Sequence, residues 1–468
     1  MRVLSVSSEC APLVKTGGLA DVAGALPAAV APMGVEMRTL IPGYRTVMAA
    51  IGAGRTVLDD ADLFGGPARV IAARVAGLDL LVLDAPHLFD RAGRPYAGPD
   101  GGDWPDNPER FAALSWVAAD IAAGAMPDWR PDILHCHDWH AGLAPWYLRD
   151  RHPGAGVATV MTIHNIAFQG KAAVGKLPGL RLRPEGMTQD GFEFCGDISA
   201  LKAGLIAADK ITTVSPTYAG ELLTPEFGMG MDGVLRARQA DLSGILNGVD
   251  LAAWSPSFKT PAGKARAKAR LCTALELPQA EGPLCVVVSR LTYQKGLDLL
   301  LNALPRLLDR GGQLAVLGSG DPALQDAVLR AADHPQVAVR LGYDETLARL
   351  LIEGGDAILV PSRFEPCGLT QLYGLRHGTL PLVAYTGGLA DTVIDSSPAG
   401  LRAGVATGVQ FHPVTAEALG RAIDHLCDLY AQPAIWGRMR KNAMRHPLGW
   451  DQSARDYRAL YDLMSGRG

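Results

Sequence analysis

The hexapeptide Thr-Gly-Gly-Leu-Ala-Asp stands twice in this chain, at Thr16–Asp21 and at Thr386–Asp391. A short apolar run leads into each copy: Val3–Ser7 ahead of the first, which follows Lys15, and Leu380–Ala384 ahead of the second. Each copy therefore reads as a strand, a glycine turn and a helix start. Paired glycines let a ligand approach the backbone, and free N–H groups at a helix N-terminus favour an anion. Two such loops near opposite ends of the chain predict two nucleotide-type domains serving one ligand. Strand-to-helix turns also need glycine for purely local reasons. Lys15 tilts the first copy toward phosphate; the second stays open between the two readings.

The rest of the chain keeps the same rhythm. Short apolar runs alternate with amphipathic stretches, the pattern of parallel sheets flanked by helices. In the first half the spacing predicts strands at Val3–Ser7, Val35–Ile41, Leu78–Asp84, Ile133–His137, Ala158–Ile163 and Lys210–Val214. In the second half it predicts Leu284–Ser289, Gln313–Gly318, Val337–Leu341, Ala357–Pro361 and Leu380–Ala384. Asp90–Arg110, rich in Gly, Pro and Asp, reads as a long surface loop beside the active cleft. A turn-rich passage at 247–256 marks a hinge. The expected division is residues 1–247, residues 248–447 and a terminal helix over 448–468. That helix carries Trp450, Ala454, Tyr457, Tyr461 and Met464 on one face and is expected to pack back on the first domain.

Composition narrows the class. With 48% hydrophobic and 20% charged residues, the 468-residue chain suits a well-packed α/β protein. A net charge of −4 gives no general reason to bind nucleic acid or an acidic membrane. The seven cysteines include no Cys-x-x-Cys pair, which argues against a disulfide framework and for a reducing compartment. No leader or membrane-length apolar run is evident, so a cytoplasmic protein is expected.

In doubly wound sheets ligands bind at the carboxyl ends of strands, and the chemistry-bearing residues fall there. Ser289-Arg290-Leu-Thr-Tyr-Gln-Lys295-Gly follows one strand, with two cations suited to a departing diphosphate. Ser362-Arg-Phe-Glu365-Pro-Cys-Gly-Leu-Thr follows another. Backbone N–H groups of Cys367, Gly368, Leu369 and Thr370 are open to phosphate there, and Glu365 can steady a cationic sugar centre or bind hydroxyls. Glu365 also suits a helix N-terminus on charge alone. His135-Cys-His137-Asp138-Trp139-His140 lacks a zinc spacing and better suits a sugar, while His164-Asn165 follows the next strand in the same way. His164 could bond a substrate or only a neighbouring loop. Gly318-Ser-Gly320-Asp321 imitates a dinucleotide fingerprint, but Asp321 would oppose a pyrophosphate. Asp60-Ala-Asp62 reads as surface charge in a loop.

Taken together, Lys15-Thr-Gly-Gly-Leu-Ala-Asp-Val, His137-Asp-Trp-His-Ala-Gly, Thr162-Ile-His-Asn-Ile-Ala-Phe-Gln-Gly, Ile245-Leu-Asn-Gly-Val-Asp, Ser289-Arg-Leu-Thr-Tyr-Gln-Lys-Gly and Ser362-Arg-Phe-Glu-Pro-Cys-Gly-Leu-Thr-Gln-Leu-Tyr-Gly closely resemble the bacterial glycogen synthases and plant starch synthases. The match runs in order along the whole chain. The resemblance implies a GT-B fold, two Rossmann-like doubly wound domains facing across a deep cleft that closes over the substrates. It implies transfer of glucose from ADP-glucose to the non-reducing end of an α-1,4-glucan with retention, and no metal or other cofactor. Lys15, Gly17, Gly18, Asp21, Asn247, Ser289 and Cys367 to Thr370 would then bind the donor. Glu365, His164, Arg290 and Lys295 would carry catalysis, His164 through its backbone carbonyl near the anomeric carbon, with Asp138 a further candidate. Tyr96, Asp138, Trp139 and His140 would line the acceptor side. Tyr373 stands where many retaining relatives carry a second Glu, and Ala384-Tyr385 replaces a basic pair often found in bacterial members. A front-face displacement, with the leaving diphosphate helping to deprotonate the 4-hydroxyl, is the expected mechanism. UDP-glucose as donor, another acceptor, or a catalytically silent glucan-binding protein are the alternatives. A nicotinamide oxidoreductase built on the Gly318 loop would need a ribose-binding acid that the sequence does not supply.

Overall fold

The computed structural model describes residues 1–466. The chain folds as two compact units, one made of 1–214, 219–248 and 450 onward, the other of 215–218 and 249–449. The division differs from the expected 247 and 447 by one or two residues. It also assigns Ser215–Tyr218 to the second unit, because Asp391 accepts from Thr217 N and Oγ1 at 2.8 and 2.7 Å and Ser215 Oγ donates to the Pro366 carbonyl at 2.6 Å.

The first unit is built on a nine-stranded sheet in the order Leu242–Gly244, Lys210–Thr213, Ala158–Ile163, Ile133–His137, Arg2–Val6, Glu36–Pro42, Leu78–Asp84, Ala68–Val75, Arg55–Asp60. The first seven run parallel, Ala68–Val75 pairs antiparallel with Leu78–Asp84, and Arg55–Asp60 pairs antiparallel with Ala68–Val75 in turn. Strand order reverses between Arg2–Val6 and Ile133–His137, the crevice position of an open α/β sheet. The hairpin Arg55–Asp60 and Ala68–Val75 corrects the sequence reading, which left Asp60 in a loop. An edge hairpin of half-exposed, charge-rich strands lacks the apolar density by which buried strands are found. A small sheet of Lys171–Ala172, Asp197–Ser199 and Glu193–Phe194, along with Leu242–Gly244, also went unread, each strand being too short to show a period. The expected surface loop ends early, since a helix runs over Asn107–Ala123.

The terminal helix spans Asp451–Ser465 and buries Ala454, Tyr457, Tyr461 and Met464 against Val3, Val22, Leu26 and Val160 of the first unit. Positions 467 and 468 of the expected helix lie outside the described residues.

The second unit holds six parallel strands in the order Val337–Leu341, Gln313–Gly318, Leu284–Val288, Ala357–Val360, Leu380–Ala384, Val409–Phe411. Its reversal lies between Leu284–Val288 and Ala357–Val360, so the Arg290 and Glu365 loops leave adjacent strand ends. The helix Leu297–Asp309 buries Leu297, Leu300, Leu304 and Leu307 at helical spacing. Among the described residues no helix is long and apolar enough to cross a membrane.

Candidate functional site

Each unit brings its predicted residues to its own strand-order reversal. In the first, the chain leaves strand Arg2–Val6 through Ser7, Ser8 and Glu9, and helix Gly18–Val30 begins after the glycine turn. Lys15 Nζ pairs with Asp21 Oδ1 at 2.7 Å, leaving Asp21 Oδ2 buried without a partner. Gly17 has extended backbone, and a methyl added to it would meet nothing within 4 Å. Its N–H is not free, however. Glu9, 2% exposed, accepts from Gly17 N at 3.2 Å and from both the N–H and the hydroxyl of Thr16. An internal carboxylate thus occupies the donors that the sequence assigned to a ligand anion. Glu9 went unread because it belongs to no motif and meets Thr16 only in the fold.

The adjacent strand, Ile133–His137, delivers Asp138 at φ +52°. Asp138 Oδ1 accepts from His164 N at 2.7 Å and Asn165 N at 3.4 Å, joining the two strand ends. Burial pushes its carboxyl up to about 7, against those N–H donors, which pull it down. His137 Nδ1 lies 3.0 Å from His164 Nε2, and His137 Nε2 lies 3.2 Å from Ser5 Oγ. Burial holds all these rings neutral: His137 and His140 are pushed down to about 3, and His135 and His164 fall well below the usual histidine range. His135 instead bonds Tyr461 and Thr162, at 2.8 and 2.7 Å, tying the terminal helix to the sheet.

Trp139 and His140, expected to face a glucan, are largely spent on packing. Trp139 meets Phe111 edge-on at 5.1 Å, and Gly170 lies against its indole so closely that a methyl there would sit 2.4 Å from the ring. His140 is 6% exposed and stacks on Tyr96 at 4.6 Å. Tyr96 OH reaches Glu9 Oε1 at 2.5 Å and Ser8 Oγ at 2.7 Å. Asn247 is buried, its Oδ1 without a partner.

In the second unit Glu365 is 7% exposed, and its Oε2 is held by Lys295 Nζ at 2.5 Å and Ser362 Oγ at 2.8 Å. The loops bearing the pair are zipped together. Arg363 grips Asp298 through two bonds of 2.8 and 2.6 Å, Arg363 N donates to Gln294 O at 2.8 Å, and Gln294 Nε2 donates to Phe364 O at 3.1 Å. Arg290 is exposed and has no acidic partner among the described residues; Ser289 Oγ turns back to the Arg290 carbonyl. After Cys367, Gly368 at φ +68° turns the chain into helix Thr370–His377, whose first N–H groups have no intrahelical acceptor.

The two glycine patterns with open readings resolve here as backbone contacts. Gly387 and Gly388 of the second hexapeptide lie against the Glu365 turn: methyls there would fall 2.0 Å from Glu365 O and 2.2 Å from Cys367 O. Gly388 N donates to Glu365 O at 3.1 Å. Gly318 and Gly320 do the same for the Arg290 loop, where methyls would fall 2.0 Å from Ser289 O and 2.3 Å from Leu291 O. Asp321 caps the helix that follows by accepting from Ala323 N and Leu324 N, so this loop holds the cation loop and is no dinucleotide fingerprint. Tyr373 stacks flat on Trp254 at 3.6 Å, packing where a second carboxylate would stand.

Comparison with known proteins identifies the family and the fold. A family model of the starch synthase catalytic domain matches residues 2–237, and one of group 1 glycosyl transferases matches 282–428. Glycogen synthases of Paracoccus denitrificans and Jannaschia are 64% and 60% identical, covering 99% and 98% of both chains. The solved catalytic domain of Arabidopsis thaliana starch synthase IV, bound to ADP and acarbose, superposes with a TM-score of 0.87 at 28% identity over 99% of each chain. A sucrose-phosphate synthase from Thermosynechococcus elongatus shares the fold at TM-score 0.62 and 19% identity, over the full length of both chains. The fold is GT-B, and the chain belongs to the glycogen and starch synthase family of glycosyltransferases.

Proposed function

We propose that the chain elongates an α-1,4-glucan at its non-reducing end with glucose from ADP-glucose, retaining the anomeric configuration. Membership of the family already implies a nucleotide-sugar donor and a glucan acceptor. The observation that carries the finer reading is the Glu365–Lys295–Ser362 cluster at the entrance to helix Thr370–His377. A buried carboxylate beside an open helix N-terminus suits a glucosyl group that turns cationic as its diphosphate departs. Lys295 and Arg290 then neutralise the leaving group, with the N–H groups of Gly368, Leu369 and Thr370, and no metal is required of them. Ser289 and Cys367 line the same pair of loops. Tyr343, 85% exposed just after strand Val337–Leu341, offers a ring face to the base.

In the first unit, Lys15, Gly18 and Asp21 serve the donor, with Asn247 in the same role. His164 acts through its carbonyl oxygen. Asp138, by accepting from the Asn165 N–H, polarises the His164–Asn165 peptide and draws electron density onto that oxygen, which favours a cationic anomeric carbon. Asp138 Oδ1 is given over to this orienting work, accepting from two N–H groups. The leaving diphosphate remains as the base for the incoming 4-hydroxyl. Tyr96 serves the acceptor side, with Trp139 and His140 as its packed support. The protein is read as cytoplasmic, where its nucleotide-sugar donor would be made.

Release of ADP or UDP from each glucose donor, with and without glycogen and without added metal, tests this reading. Glycogen-dependent ADP release is expected. UDP release alone would move the donor assignment, and no release from either would favour a silent glucan-binding protein.

A further inference from the structure

We infer that Glu9 is a positioning residue that ties the Lys15 glycine loop to Tyr96, so that the donor-facing and acceptor-facing parts of the first unit are ordered together. The inference rests on the roles proposed above for that loop and for Tyr96.

Burying a carboxylate is costly unless its oxygens are fully bonded. Glu9 is 2% exposed, and among the described residues it has no Lys or Arg partner. Neutral donors alone satisfy it. Oε2 takes Thr16 N and Gly17 N, while Oε1 takes the Thr16 hydroxyl and Tyr96 OH. These donors come from two segments far apart in sequence. One is the glycine turn, whose exposed residues 15–18 make few other contacts. The other is the loop between the strand Leu78–Asp84 and the helix Asn107–Ala123.

Tyr96 is fixed from its other sides as well. Its ring stacks on His140, its carbonyl accepts from Asn107 Nδ2 at 2.8 Å, and Ser8 Oγ lies 2.7 Å from its hydroxyl. Burial and the adjacent carboxylate keep the phenol protonated, so its hydroxyl donates to Glu9. A rigid Tyr96 and a glycine turn with little support of its own therefore share one anchor. The anchor's charge also lies just ahead of helix Gly18–Val30, where the helix N-terminus favours a negative group.

The arrangement has a consequence for the ligand. With Thr16 N and Gly17 N committed to Glu9, a donor phosphate meets this turn through Lys15 and the N–H groups from Gly18 onward. Loosening Tyr96 from Glu9 frees the turn and weakens donor binding, although Tyr96 is on the acceptor side. In the second hexapeptide the Gly388 N–H goes to the backbone carbonyl of Glu365.

ADP affinity by calorimetry and initial rates over a grid of ADP-glucose and glycogen test the link in the full chain. Tyr96→Phe removes one hydroxyl and keeps the ring stacked on His140. It is expected to weaken ADP by about 3- to 10-fold, the range for one hydrogen bond, and to raise KM for both substrates. Glu9→Gln keeps an acceptor for the turn's N–H groups, and the double variant should bind ADP no worse than Glu9→Gln alone. ADP bound equally by wild type and Tyr96→Phe, or losses that multiply in the double variant, would overturn the inference. A wild-type chain that binds no ADP would instead remove the functional reading beneath it. Should Glu9→Gln fail to fold, Tyr96→Phe carries the test alone.

Discussion

The same six residues do different work at 16–21 and at 386–391. In the first copy Gly17 faces open space, Thr16 reaches back to Glu9, and Asp21 pairs with Lys15. In the second, both glycines are pressed against the backbone of Glu365 and Cys367, and Asp391 holds Thr217. Gly17 faces open space with its N–H held by Glu9, whereas the second glycine pair lets two backbone segments touch. The shared sequence opens a helix in both copies, at Gly18 in the first and at Gly387 in the second, and what each turn meets decides whether its glycines serve binding or folding.

The largest expected effect lies at the residue the second copy supports. Glu365→Ala should lower kcat by about 10²- to 10³-fold, with ADP affinity within a few-fold of wild type. Equal losses in turnover and affinity, from initial rates and calorimetry, would reassign Glu365 to ground-state binding.

Glycine substitutions break the comparison directly. Gly388→Ala forces a methyl onto Cys367 O, so melting should show a loss of about 1–3 kcal/mol, as for other overpacked sites, and turnover should collapse with the Glu365 turn. Gly17→Ala should melt with the wild type and raise KM for ADP-glucose about 10-fold, because only a ligand meets the new methyl. A stable Gly388→Ala, or an unstable Gly17→Ala, would reverse the two roles.

A pH series probes the strand end beside the first copy. The Asp138 carboxyl stands at about 7 when folded, well above the usual carboxylate range, because burial disfavours its charge. A raised folded value means stability that is full below the unfolded pKa and is lost as pH rises through the folded one. Asp138→Asn should therefore gain on the wild type as pH climbs from about 4 to 7, with no further gain above. A difference in Tm that stays constant with pH would show the carboxyl to be ordinary.

The smallest contrast concerns the aspartates that close each copy. Asp391→Ala leaves Thr217 N and Oγ1 without their acceptor and should cost about 1–3 kcal/mol. Asp21→Ala breaks a half-exposed ion pair and should change stability by about 0–1 kcal/mol while weakening the donor.

Much of the fold was legible because its parallel strands are buried on both faces and read as dense apolar runs. Leu78–Asp84, Ile133–His137, Ala158–Ile163, Gln313–Gly318, Val337–Leu341 and Leu380–Ala384 lie where the spacing puts them. The outer hairpin Arg55–Asp60 and Ala68–Val75 was not, since an edge exposes its residues and dilutes the signal. Within the site, the sequence placed Lys295 and Glu365 each after a strand, and the sheet order that makes those strands neighbours brought the two together.

What the sequence determined by itself is therefore local: which segments extend, which coil, and which polar residues stand at strand ends, because those follow from side-chain period and backbone freedom over a few residues. What only the tertiary structure decided is partnership. Glu9 with Tyr96, Gly388 with Cys367, and Gly318 with Ser289 meet across at least 21 and as many as 87 positions. Nothing in the local spacing records which carbonyl a glycine will touch or which carboxylate a turn will find. Those contacts exist only once parallel strands align their ends, and they settle which residues bind and which hold the binders in place.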